Sequence, residues 1–207
     1  MKTTTLVKTL ATLALMSISL QSNAIGKNTK PMTFEKKTHS LSLSYGAPSI
    51  LFPIGKTFGP INFGYEYQLT RMFGVGGLIS YSSAKANTET YYDNGSPLFN
   101  YAWHGSYYFV GAHGTVYWMN RSNWALYSGL SVGYMKVTLG VDLTDIQYRY
   151  RVPSIDVSAS GPMVVIDLFG AKYKVSKEVS IFSEFGLLTK GIVCGGIQYS
   201  FPSPGYK

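Results

Sequence analysis

GPINFGYEYQLTRMFGVGGLISY, residues 59–81, alternates twice about a Thr70-Arg71 centre. In its first arm Ile61, Phe63, Tyr65, Tyr67 and Leu69 share one parity, and Asn62, Gly64, Glu66 and Gln68 the other. In its second arm Phe73, Val75, Gly77, Ile79 and Tyr81 oppose Gly74, Gly76, Leu78 and Ser80. A period of two is the mark of a strand, so the stretch predicts an antiparallel hairpin with a two-residue connection. A soluble hairpin would turn lysine, glutamate and threonine to water on its second face. Here that face carries glycine, serine and amide with one carboxylate, and the arms have the length of a tilted strand crossing a bilayer, about 9–11 residues.

The amino terminus predicts export. Lys2 and Lys8 lead into the apolar run from Leu10 to Leu20, and Ser22-Asn23-Ala24 supplies the small residues of a cleavage site, so residues 1–24 read as a signal peptide. The apolar run is too short to span a membrane as a helix. Ile25, not cysteine, follows the expected cut, and nothing there marks a lipoprotein. A single cysteine, Cys194, excludes an internal disulfide framework. Without Lys2 and Lys8 the 18 basic residues become 16 against 10 acidic ones, a net charge of +6. In an exported chain that excess is expected at connections and rims, facing phosphate-bearing lipid headgroups rather than nucleic acid. Charged residues are only 14% of the chain, well below the roughly 25% of soluble domains, while aromatics reach 15%.

Residues 25–38 are polar and aperiodic and read as a flexible periplasmic lead-in. A first strand is expected over His39–Tyr45, a loop over 46–58, and the opening hairpin as strands two and three. Residues 83–105 read as a long insertion with an Asp93-Asn94-Gly95 turn. Strand four is expected from Ser106 to Trp118, strand five from Trp124, and then a hairpin over 137–162 that projects past the rim. Strand six, Met163–Val175, breaks the pattern: if Phe169, Ala171, Tyr173 and Val175 face outward, so does Asp167. A carboxylate at membrane depth costs a few kcal/mol, so either a bulge near Asp167 or the opposite parity above it is expected. Strands seven, Val179–Leu188, and eight, Ile192–Phe201, complete the chain, with 202–207 as a periplasmic tail. Phe63–Gly77 and Phe169–Ser183 read as versions of one hairpin, as in a modular up-and-down sheet.

The fold class predicted is therefore all-β, an eight-stranded antiparallel up-and-down transmembrane β-barrel over 39–201. Short connections at 70–71, 119–123 and 176–178 alternate with longer ones at 46–58, 83–105 and 137–162; 189–191 is the exception. That asymmetry puts the short turns in the periplasm and the long loops outside. A barrel of eight strands has room only for side chains. Glu66, His113, Tyr117, Lys172, Glu184 and Gln198 take the inward parity, with Glu66 and Glu184 expected to pair with Lys172 and His113 as interior filling or, alternatively, as an ion or proton path. Cys194 reads as a small interior filler. Tyr91, Tyr92, Phe99, Tyr101 and Trp103, and Tyr148, Arg149, Tyr150 and Arg151, crowd the outer loops, as recognition residues or as loops packing on one another. His39, His104 and His113 have no cysteine or carboxylate at ligand spacing, so neither metal nor cofactor is expected. A soluble lipocalin would need a greasy bore and a charged exterior, the reverse of this parity.

The chain resembles the small eight-stranded outer-membrane barrels of the OmpX and OmpW kind over residues 39–201. The resemblance is carried by the strand pattern and by Gly196, Tyr199 and Phe201, which are similar to the last-strand signal read by the barrel assembly machinery. It implies an outer-membrane location in a Gram-negative-type bacterium, contact with outer-membrane lipids and lipopolysaccharide, a monomer, and a non-enzymatic role in envelope structure or surface recognition. An OmpW-like conduit for small hydrophobic molecules is the alternative it offers. His104-Gly-Ser106 also resembles the His-x-Ser pair of the lipid A deacylases, which are barrels of the same strand number.

Overall fold

The computed structural model describes residues 37–47, 56–86, 89–94, 96–121, 123–145, 151–187 and 189–202. The expected signal peptide, most of the lead-in and the tail beyond Pro202 lie outside these residues. Nine strands are present: β1 (Thr38–Ala47), β2 (Lys56–Gln68), β3 (Phe73–Lys85), β4 (Glu89–Asp93), β5 (Ser96–Arg121), β6 (Trp124–Asp145), β7 (Arg151–Lys174), β8 (Val179–Leu187) and β9 (Val193–Pro202). Eight close a ring in chain order, all antiparallel, with β3 paired to β5 from Phe73↔Val116 to Lys85↔His104 and β1 paired to β9 from Thr38↔Pro202 to Ala47↔Val193. The ninth, β4, lies outside the ring, folded back on the start of β5.

The wall is polarised as the alternation requires. Leu43, Ile79, Val110, Val132 and Ile197 are each more than half exposed, while Ser80, Ser131 and Asp167 are fully buried and Lys172 is 3% exposed. Exposed aliphatics outside and sealed polar groups inside have a physical rationale only when the surrounding solvent is hydrocarbon. The chain is a transmembrane barrel. Aromatic pairs border the apolar band: Tyr81–Tyr108 (4.6 Å) and Tyr45–Phe58 (6.4 Å) at one end, Trp124–Tyr173 (4.8 Å) and His39–Phe201 (5.4 Å) at the other. From Tyr108 to Trp118 is ten residue steps, about 25 Å of height at a tilt of about 40°.

Several expectations need correction. The connection between β2 and β3 is four residues, Leu69–Met72, because the Thr70 hydroxyl accepts from the amides of Met72 (3.1 Å) and Phe73 (3.0 Å) and so builds a wider turn. Strand β2 begins at Lys56, inside the expected 46–58 loop, with a register shift between Phe58 and Ile61. The expected 83–105 insertion is largely ordered: β3 runs on to Lys85, and the β4–β5 hairpin turns at Asn94, whose φ of 48° is the left-handed conformation asparagine tolerates. Strand β5 therefore has 26 residues, not the expected span from Ser106, and with β6 (22) and β7 (24) forms a sheet that projects well past β8 and β9.

The parity conflict at Asp167 is resolved by a bulge. Tyr127 pairs with Gly170 and Gly129 with Asp167, so Ser128 faces two residues, Leu168 and Phe169, and the Ser128 hydroxyl donates to the Leu168 carbonyl. Both extra-side residues point out, at 45% and 41% exposure. Above the bulge Val165 and Asp167 face inward; below it Gly170, Lys172 and Lys174 do. Lys172 lies five positions after Asp167, an odd spacing that an unbroken strand would split between lipid and bore.

Candidate functional site

The bore holds two bonded clusters. In the first, Glu66 on β2 accepts from the Thr115 hydroxyl at Oε2 (2.7 Å) and from the Tyr117 hydroxyl at Oε1 (2.6 Å), both on β5. Lys172 Nζ donates to the same Tyr117 oxygen (2.8 Å) and lies 5.1 Å from the ring centroids of Tyr117 and Tyr127. His113 joins through its two nitrogens, Nε2 against Thr115 Oγ1 (3.1 Å) and Nδ1 against Ser131 Oγ (2.8 Å). Because the Thr115 proton is given to Glu66, the threonine oxygen accepts from His113 Nε2–H, and Ser131 donates to the other nitrogen. Glu66 and Lys172 are thus linked through Tyr117.

The second cluster was not legible from sequence. Glu184 on β8 accepts from Tyr127 at Oε1 (2.8 Å), and its Oε2 accepts from Lys190 (2.9 Å) and from the Cys194 thiol (3.3 Å). Lys190 also donates to Asp167 Oδ2 (2.8 Å). The expected partners of Glu66 and Glu184 were Lys172 and His113; the ammonium that reaches Glu184 comes from the 189–191 reversal. Thr189, Lys190 and Gly191 are all buried: the turn does not stand above the rim but folds into the mouth. The Tyr107 hydroxyl, from the opposite wall, donates to the Thr189 carbonyl. The one short connection on the long-loop side was the signal that could have drawn attention to Lys190.

Glycine makes the crowding possible. A Cβ on Gly129 would lie 2.7 Å from Asp167 Oδ2 and 2.7 Å from His113 Cε1, so the two clusters approach across that residue. Between the clusters and the β1–β2–β9 wall is a cavity of about 40 Å³, lined by Ser40, Ser42, Ser44, Asn62 and Gln198 with Lys172 and Lys190. That is room for a few waters. On the other side Leu78, Phe109, Met135 and Val165 fill the bore with apolar packing. Buried charges persist only when paired and hydrogen-bonded, and both clusters meet that condition.

Outside the bore the sequence candidates disperse. Trp103 packs on the Ala84–Tyr107 cluster at the mouth, Tyr101 sits in the ladder opposite Glu89 and Leu143, Tyr91 opposite Phe99, and Tyr92 is exposed. Arg151 begins β7 opposite Thr144, and Tyr148, Arg149 and Tyr150 lie outside the described residues. His104, on the outer face of the projecting sheet, is held between Asp142 (Nδ1, 3.5 Å) and Asp156 (Nε2, 3.2 Å). Each ring nitrogen thus faces a carboxylate, and the Nε2 contact with Asp156 is a hydrogen bond. On β9, Tyr199 is exposed and Phe201 stacks on His39 across the β1–β9 seam. Among the described residues no three His, Cys, Asp or Glu side chains converge as a metal-holding group.

No family model and no curated protein matches the sequence. Among solved structures the chain is similar to Ail, the attachment invasion locus protein of Yersinia pestis in complex with the heparin analogue sucrose octasulfate. The identity is 16% over 79% of this chain and 96% of that one, with a TM-score of 0.43. It is also similar to a de novo designed transmembrane β-barrel (15% identity, 82% and 100% covered, TM-score 0.43). A third similar structure is the N-terminal β-barrel domain of Pseudomonas aeruginosa OprF (13%, 80% and 98%, TM-score 0.41).

Proposed function

We propose that this chain is a non-enzymatic outer-membrane barrel with a filled polar bore, acting in envelope structure or in surface recognition through the sheet that projects from one rim. The observation that carries this reading is the inverted polarity of a closed wall whose β5–β7 side extends far past β8 and β9. The short turns face the periplasm and the projecting sheet faces outward, in contact with lipopolysaccharide; the barrel assembly machinery inserts the chain through β9, as a monomer. Residues 1–24 are its export signal. A conduit for hydrophobic molecules gains no support from a bore lined by serines and ion pairs, and a deacylase gains none from His104 with both nitrogens engaged.

Fractionation tests the location: the protein is expected in the outer membrane with heat-modifiable migration on a detergent gel, and recovery as a soluble periplasmic protein defeats the reading. Recognition is tested by replacing residues 87–102 with Asn-Gly, which joins β3 to β5 where Ala86 already bonds to Trp103. The shortened barrel is expected to fold, and cells carrying it to lose adhesion to extracellular-matrix surfaces relative to cells with the full chain. Equal adhesion by both removes the recognition role and leaves the structural one.

A further inference from the structure

The Lys190 ammonium sits in the mouth of the barrel as a bridging cation. It lies between two carboxylates on different strands, 2.8 Å from Asp167 Oδ2 and 2.9 Å from Glu184 Oε2, and it enters from a turn rather than from the wall. Three further observations mark the spot as a ligand site. Asp167 is fully buried, yet its Oδ1 has no hydrogen-bond partner among the described residues, and neither does Oγ1 of Thr189, the residue before Lys190 in the turn. The turn is held in the mouth at several points: Tyr107 bonds its carbonyl, and Gly46 and Pro60 abut it so closely that a Cβ on Gly46 would lie 2.0 Å from the Lys190 oxygen. Beneath it the hydroxyls of Ser40, Ser42 and Ser44 line the cavity along about 13 Å of β1, oxygens of the kind that solvate a small ion.

We propose that Asp167 and Glu184 form a binding site for a small monovalent cation, that the chain's own Lys190 fills it, and that Lys190 is thereby the tethered blocker of a cation path along the serine wall. Charge supports the sign of the permeant ion. Around the cavity and the turn, Glu66, Asp167 and Glu184 face Lys172 and Lys190, while His113 is held between Thr115 and Ser131 as a neutral ring. Taking Lys190 away leaves three carboxylates against Lys172 and, lower on the same inward face, Lys174. Anions are then excluded, and sodium, potassium or protons take the vacated position.

The inference rests on the closed-bore reading, and planar-bilayer recording of the purified full chain separates the two. In a potassium chloride gradient the wild type is expected to be silent and Lys190→Met to conduct at least ten-fold more, with a reversal potential near the potassium value. Lys190→Arg, which keeps a cation in place, is expected to stay silent. Adding Asp167→Asn and Glu184→Gln to Lys190→Met is expected to abolish the cation preference, a readout that mere loosening of the barrel would not move. Should Lys190→Met fail to fold, as judged by heat-modifiable migration, Lys190→Gln replaces it with the same expectation. A folded Lys190 variant as silent as the wild type, or one conducting without preference for potassium over chloride, overturns the inference while leaving the closed barrel standing. A conducting wild type overturns both.

Discussion

Glu66 shows what a single buried carboxylate does in this wall. It terminates a chain of donors, accepting from Thr115 and Tyr117 at once, and Tyr117 in turn accepts from Lys172. Glu66→Gln keeps the shape, but an amide nitrogen cannot accept, so one of the two hydroxyls loses its acceptor. The expected cost is about 1–3 kcal/mol, read as a lower urea midpoint for refolded protein in lipid vesicles; an unchanged midpoint would mean that water already satisfies those hydroxyls. His104 makes the complementary point at the outer rim. Its neighbours Asp142 and Asp156, brought in by β6 and β7, make it a pin across three strands.

At the scale of the element, β7 matters most. Its one extra residue at Leu168 lets Asp167 and Lys172, five positions apart, both face the bore. Deleting Leu168 alone leaves those charges four positions apart, an even spacing that unbroken alternation keeps in the bore, and the heat-modifiable folded band is expected to persist. Deleting Leu168 and Phe169 together leaves three positions and no spare residue for a bulge, which forces one charge into lipid and is expected to abolish the band. The 189–191 turn is the other decisive element, since it is short not for lack of a role but because it goes inside. Its geometry depends on what it meets: Tyr107 from β5, Gly46 from β1 and Pro60 from β2.

For the whole molecule, the polarity of the wall sets the stability. Val132 lies on the outward face, half exposed, while Ser131 beside it is fully buried and bonded to His113. Val132→Arg places a guanidinium near the middle of the apolar band and is expected to cost about 2–4 kcal/mol in lipid-refolding titrations. The same titration of Lys136→Arg, at the aromatic border, is expected to change little; similar losses at both sites would show that the band is not embedded.

The barrel was legible because alternation is a local property. Ile61 to Leu69 and Phe73 to Tyr81 carry their facing in their own parity, and eight such runs with uneven connections leave little choice of architecture. The inward set Glu66, His113, Tyr117, Lys172 and Glu184 could be named for the same reason. Partnership could not. Which ammonium meets Glu184, whether Asp167 turns in, and whether Thr189 to Gly191 stands above the rim or plugs it all depend on groups far apart in sequence and brought together by ring closure. Periodicity specifies which side of a strand a residue is on; only the closed ring, with its register and its bulges, decides what lies opposite, because those distances are set by how the strands meet and not by the order of residues within any of them.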